Sequence, residues 1–206
     1  MFAGPQRESS MTGVFNPNET FELSQYDPNW PLLFEQEKER IMEAMGDEAI
    51  EIEHIGSTSV PGLRAKPIID ILLVVEVFGP ITEYKRRLEP LGYHLYEHED
   101  FNVTEHLFLW KGQPRTHHLH IVEYATWEHQ RHIIFRDYLR KHPDIARLYE
   151  EVKQQLAAAF SKNRPAYTKG KTAFIKNIMA RAVEEIVDPS LRELMENIHD
   201  DDPGGG

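Results

Sequence analysis

From residue 49 the chain reads "AIEIEHI", apolar and polar positions alternating with the period of a strand. Shortly after it, "PIIDILLVVEV" (67–77) is nearly all apolar, which predicts a central strand covered on at least one face. Upstream, Leu33, Phe34, Ile41 and Met45 recur at helical spacing. They predict a helix that follows Asp27, with Pro28 at its opening position and Gly46 at its stop. "ITEYKRRLEPLG" (81–92) reads as a helix ending near Pro90 and Gly92. "GYHLYE", "HLFLWK" and "THHLHIVEY" read as shorter strands, the last two joined by "GQPR" as a hairpin. After Tyr124 the pattern changes to three helices, 126–142, 143–162 and 167–187, with Thr126 and Pro143 as start signals. Strands first and helices later imply an α+β fold: a mixed or mostly antiparallel β-sheet with helices packed on it and a C-terminal helical part.

Composition narrows the class. A chain of 206 residues, 40% apolar and 28% charged, is expected to form one soluble domain with a sizeable core. The stretches 1–20 and 188–206 are rich in Gly, Pro, Ser, Asn and Asp and are read as disordered tails, the second acidic and Gly-ending; 21–187 is left as the folded unit. The net charge of −11 argues against a general nucleic-acid binder, because such a surface repels a phosphate polymer. That charge is uneven: "DPSLRELMENIHDDDPGGG" carries −5, leaving −6 for the rest, so a local cationic pocket stays compatible with it. With no cysteine there is no disulfide, thiol nucleophile or thiolate metal site. No apolar run reaches the length of a bilayer span or a secretory signal, and a cytoplasmic location with no membrane partner is expected. Nothing in the pattern sets an oligomeric state.

One position breaks the logic of its own strand. In "KPIIDILLVV", Ile69, Ile71, Leu73 and Val75 make a complete core face, so Asp70 projects from the other side with Leu72 and Val74. A carboxylate there must meet water, a cation or hydrogen-bond donors. The loop before it, "GSTSVPGLRAK", offers Gly56 for close backbone approach, the hydroxyls of Ser57, Thr58 and Ser59, and the cations Arg64 and Lys66. Such a turn can hold an anion such as phosphate. Farther on, His118 and His120 share one face of "HHLHIVEY" while Leu119 and Ile121 face helices. If that strand neighbours Asp70, two histidines and a carboxylate form a recognised transition-metal set. Alternatively, the histidines pair with carboxylates such as Glu53 or Glu123. His132, Arg136 and Arg140 recur every four residues on one helix face, as do Tyr167 and Lys171 on the next helix but one. Tyr167 could stack on a base while Lys171 meets phosphate; the plainer alternative makes Tyr167 core and Lys171 surface.

The motifs "YDPNWPLLFEQEK" (26–38), "HIGSTSVPGLRAKPIIDI" (54–71), "HLH" (118–120) and "FRDYLRKHPDIARLY" (135–149), followed by Tyr167 and Lys171, resemble those of the GrpB-like family in order. A Gly-Ser turn ahead of an acid on a strand also resembles the wider nucleotidyltransferase superfamily. The resemblance implies a nucleotidyltransferase-like fold. Taken with the loop and helix readings above, it leads to the expectation of a nucleotide or phosphorylated metabolite as small-molecule partner, with Gly56, Ser57, Thr58, Arg64, Lys66, Arg136, Arg140, Tyr167 and Lys171 as the candidate ligand residues. Asp70, His118 and His120 become the candidate catalytic and metal-binding residues, for a divalent Mg, Mn or Zn. Similar domains fused to dephospho-coenzyme A kinases suggest a coenzyme A context. The departure is at Leu72, where the superfamily places a second acid; a two-metal reaction needs that ligand. Two functions are therefore open: transfer of a nucleotidyl or phosphoryl group, or a non-catalytic nucleotide- or coenzyme A-related binding module.

Overall fold

The computed structural model describes residues 22–96 and 106–186; the two expected tails lie outside them. Asp27 accepts from the backbone and side-chain N–H groups of Asn29, both at 2.9 Å. That turn delays the first helix, α1, to Trp30–Met45, so Pro31 rather than Pro28 occupies its first turn. Trp30, Phe34, Glu37, Ile41 and Met45 form its buried stripe, whereas Leu33 is exposed. The i, i+4 spacing from Trp30 sets which face turns inward, and Leu33 falls off it.

The remaining elements are β1 (Glu51–Ile55), β2 (Ile69–Val75), α2 (Ile81–Leu88), β3 (Tyr93–Leu95), β4 (His106–Lys111), β5 (His117–Glu123), α3 (Trp127–Lys141), α4 (Pro143–Phe160) and α5 (Arg164–Ile186). Among the described residues the strands make one mixed sheet in the order β1-β2-β5-β4-β3. Only β2 and β5 run parallel; the other pairs are antiparallel. β2 is central, as its apolar run predicts, because it must be paired on both sides and packed on both faces. Thr126 caps α3 by accepting from the His129 N–H, and Pro143 opens α4, both as expected. The last helix starts at Arg164, earlier than the pattern predicts, with Pro165 at its second position.

Each face of the sheet has its own cover. Ile69, Ile71, Leu73 and Val75 pack with Leu107, Leu109, Leu119 and Ile121 beneath α1 and α2. Each of these buried aliphatics contributes about 1.5–3 kcal/mol. The opposite face is apolar only in part, where Ile55, Leu72, Val74 and Val122 meet Ile133 of α3. The helices α3, α4 and α5 form a further core with Val60 and Leu63 from the loop between β1 and β2. That loop is therefore held between sheet and helical part, with the acid of β2 beside it.

Candidate anion-facing site around Asp70

Ile55, the last residue of β1, pairs with Asp70. The chain leaving β1 thus turns directly against the Asp70 side chain. Gly56 makes that turn at φ +68°, and a Cβ there would lie 2.9 Å from Asp70 Cβ and Cγ and closer still to Oδ2. No side chain fits, so the residue must be glycine. Ser57–Ser59 then form one 3₁₀ turn, in which the Ser59 hydroxyl donates to the Gly56 carbonyl at 2.6 Å. Thr58 Oγ1 donates to the Ile68 carbonyl at 3.3 Å and lies 3.0 Å from His54 Nε2, so His54 carries its proton on that nitrogen. Burial, with Arg140 and Arg136 nearby, pushes His54 down to about 4 against the pull of Asp70. Thr58 is buried by these bonds and shapes the loop from inside. Arg140 supports the loop from behind, donating from Nε and Nη2 to the Ser59 carbonyl at 3.0 and 2.8 Å.

Parallel pairing places His118 opposite Asp70. His118 Nδ1 lies 2.8 Å from Asp70 Oδ1, and Arg164 Nη2 lies 3.1 Å from His118 Nε2. A guanidinium only donates, so Nε2 accepts and the proton resides on Nδ1, directed at the carboxylate. Burial pushes Asp70 up, yet the hydrogen bond from His118, with His120 and Lys171 nearby, holds it below the usual carboxylate range. Burial likewise lowers His118, against the pull of Asp70. The result is an oriented, neutral imidazole between an anion and a cation.

Around this pair gather cations from four parts of the chain. Lys66 comes from the loop, Arg115 from the β4–β5 turn, Lys153 from α4, and Arg164 and Lys171 from α5. Lys153 is 2% exposed and donates to Ser57 Oγ at 3.1 Å and to the Arg64 carbonyl. Ser57 also hydrogen-bonds the Tyr149 phenol. Burial and the Lys171 charge push Lys153 down to about 7, against the pull of Glu150 and Asp70. Lys66 is pushed to about 6 by burial, then by Arg164 and Lys171, with Arg115 adding to the repulsion. The same arrangement occurs twice, in "YEEVK" and "YTKGK". Lys153 Nζ lies 4.9 Å from the Tyr149 ring centroid, and Lys171 Nζ lies 5.1 Å from that of Tyr167. Lys66 Nζ lies over the Tyr167 ring too, at 4.1 Å.

The expected site residues divide into those that meet and those that do not. Gly56, Ser57, Lys66, Asp70, His118, Tyr167 and Lys171 come together. Tyr167 is 2% exposed and its ring carries two ammonium groups, so its surface is not presented for base stacking. Arg64 turns away to Glu150, 3.3 Å from Nε. Arg136 bonds Glu53 at 2.5 Å, Asp137 at 2.7 Å and the His54 carbonyl at 3.1 Å, which fastens α3 to β1. Glu53 is thereby occupied, and Glu123 accepts from the Phe78 N–H at 2.7 Å, so neither is the partner of His118 or His120. His120 instead lies 2.8 Å from His106, with the His132 ring centroid 5.1 Å away. The donor set Asp70, His118 and His120 does not converge on a point. Both His118 nitrogens are engaged, His120 turns to His106, and among the described residues no three His, Asp or Glu side chains are placed to hold a metal ion. Leu72 is fully buried in apolar contacts, so no second acid stands in for the missing ligand.

Lys153, Arg164 and Arg115 are the additions. The repeated Tyr-x-x-x-Lys spacing is the one signal that points to Lys153. Arg164 follows from starting the last helix one residue before Pro165, which puts Arg164 and Lys171 two turns apart on one side.

The class is thus an α+β protein with a mixed sheet, in which a glycine-serine turn packs on a carboxylate of the β2 strand and lysine and arginine side chains gather around it. Comparison supplies the family: the chain belongs to the GrpB family, whose model, GrpB protein, matches residues 20–181. A UPF0157 protein of Pseudomonas aeruginosa is 41% identical over 85% of this chain and 73% of its own length. The crystal structure of conserved protein GrpB from Enterococcus faecalis is 37% identical, with a TM-score of 0.73, over 80% of this chain and 98% of that one. A dephospho-CoA kinase of Mycolicibacterium paratuberculosis is 27% identical over 76% of this chain but only 44% of its own length. Among the described residues no helix is long and apolar enough to cross a membrane.

Proposed function

We propose that this chain, on a nucleotidyltransferase-like fold, binds a nucleotide or phosphorylated metabolite by its phosphate, at the end of β2. One observation carries the reading: Lys66, Lys153 and Lys171 converge from three elements on one carboxylate, Asp70, with Arg164 on its partner His118. Packing like charges together costs stability, and Lys66 and Lys153 discharge in part to relieve it. Ammonium and guanidinium groups brought together from separate elements beside a glycine-serine turn are the donors a phosphate group would recruit. The ligand's phosphate is expected to lie between the Ser57–Lys153 contact and the Lys66–Arg164–Lys171 group. The likeness to a dephospho-CoA kinase supports testing coenzyme A precursors alongside nucleotides.

A thermal-shift screen of pyrophosphate, nucleoside triphosphates and coenzyme A precursors, with and without Mg, Mn or Zn, tests this. A ligand at about 100 times its Kd stabilises the folded state by about 2.7 kcal/mol. Absence of stabilisation by every phosphate compound overturns the reading.

Group transfer is the second reading, favoured by the oriented Asp70–His118 pair, which can hold or pass a proton at His118 Nε2 once Arg164 turns to a ligand. It predicts product formation that Asp70→Asn abolishes while binding persists. Leu72 weighs against it, and capture without turnover is the reading we prefer.

A further inference from the structure

Both oxygens of the Asp70 carboxylate are engaged within the protein. Oδ1 accepts from His118 Nδ1 at 2.8 Å, and Oδ2 fills the space beside Gly56 that a Cβ would need. A divalent cation in a phosphoryl-transfer site is held by carboxylates and substrate phosphates together. Here Leu72 stands where a second acid would be, and His120 is turned to His106. What surrounds the carboxylate instead is positive. Lys153 lies on Ser57 Oγ, Lys66 and Lys171 lie 4.1 and 5.1 Å from the Tyr167 ring centroid, and Arg164 meets His118. An aromatic face favours the charged form of a lysine, which opposes the discharge that burial promotes at Lys66 and Lys171.

We infer that the site takes its phosphate without a divalent metal: lysine and arginine side chains supply the positive charge, and Asp70 is their counter-ion rather than a metal ligand. The inference rests on the phosphate reading above and departs from the nucleotidyltransferase pattern at the position of the missing acid. A metal cation brought among ammonium and guanidinium groups is repelled, whereas a phosphate is drawn in. Asp70 attracts the same three lysines that a phosphate would, so it repels the phosphate with which it shares them. The carboxylate thus balances the cluster when no ligand is present and competes with the ligand when one arrives. A carboxylate that ligates a metal acts in the opposite sense, since removing its charge weakens the metal–phosphate assembly. Asp70→Asn therefore separates the two roles by sign, and the amide oxygen can still accept from His118, which keeps the local structure.

Isothermal titration of the full-length, chelator-treated protein with pyrophosphate tests this. Binding in EDTA is expected, with an affinity unchanged or lower when Mg or Mn replaces the chelator. Asp70→Asn should bind pyrophosphate about three- to tenfold more tightly in EDTA. Lys171→Met should bind it about tenfold more weakly. Pyrophosphate held about tenfold or more tightly with Mg or Mn than in EDTA overturns the inference and leaves the phosphate reading standing. The unaltered chain gives that result by itself, should a variant fail to fold. An affinity of Asp70→Asn equal to or below that of the unaltered chain overturns the counter-ion role. No binding of pyrophosphate, with metal or without, sinks the phosphate reading as well.

Discussion

At the scale of single residues, Gly56 is the position where sequence, backbone and site are fixed together. Its φ of +68° and the 2.9 Å that would separate an added Cβ from Asp70 both forbid a side chain. Gly56→Ala is therefore expected to destabilise the fold by about 2–4 kcal/mol, measured by urea denaturation. A loss under about 0.5 kcal/mol would mean the loop moves freely and is not built around the carboxylate. Much of this contact was legible in the sequence. The alternation of β2 set Asp70 off the core face, and a Gly-Ser turn just after a predicted strand set a close approach nearby. The partner of His118 was half legible: an acid on a neighbouring strand was expected, but strand order was needed to make it Asp70. The register of β2 on β5 supplies it.

Between elements, the sequence was less informative, and Arg136 shows why. Helical spacing places His132, Arg136 and Arg140 on one face of α3, and Arg136 and Arg140 are expected among the ligand's cations, a solvated stripe being the plainer alternative. Spacing cannot say what a face meets. Here α3 covers apolar residues of the sheet through Ile133 and reaches Glu53 of β1 as well, so Arg136 is spent on Glu53, Asp137 and the His54 carbonyl. Lys153 was missed for the converse reason: α4 brings it 96 residues in sequence from Ser57 into contact with that hydroxyl. Removing a buried guanidinium leaves its carboxylate and carbonyl partners unmatched. Arg136→Ala should cost about 2–4 kcal/mol in denaturant titration while shifting pyrophosphate affinity by no more than about twofold. A large loss of affinity at little cost in stability would return Arg136 to the ligand site.

For the whole molecule, the consequence is a conflict between stability and occupancy that pH exposes. The chain carries −11 overall, yet it folds around a positive cluster whose charges are screened from that envelope beyond about 8–10 Å. Lys66 near 6 and Lys153 near 7 lie far below the ordinary 10.5 that the unfolded chain restores. Between those limits the unfolded chain binds more protons, so ligand-free stability rises with pH through the window, and the full penalty is present below about 6. Asp70 acts oppositely at the acid end. Its value is depressed in the fold, so its contribution is present above the ordinary carboxylate range and is lost as pH falls through the folded value. An anion entering the cluster reverses the lysine discharge. Sulfate, whose charge is fixed over this range, should bind with uptake of protons, and its affinity should fall about tenfold for each linked proton per pH unit above 7. Calorimetry in buffers of different ionisation enthalpy counts those protons directly. Lys66→Met should raise ligand-free stability by about 1–2 kcal/mol and reduce both the uptake and the pH slope. Zero uptake at pH 8 would mean that the lysines stay charged in the empty site. The surplus charge would then be compensated within the fold, with no call for a phosphate to neutralise it.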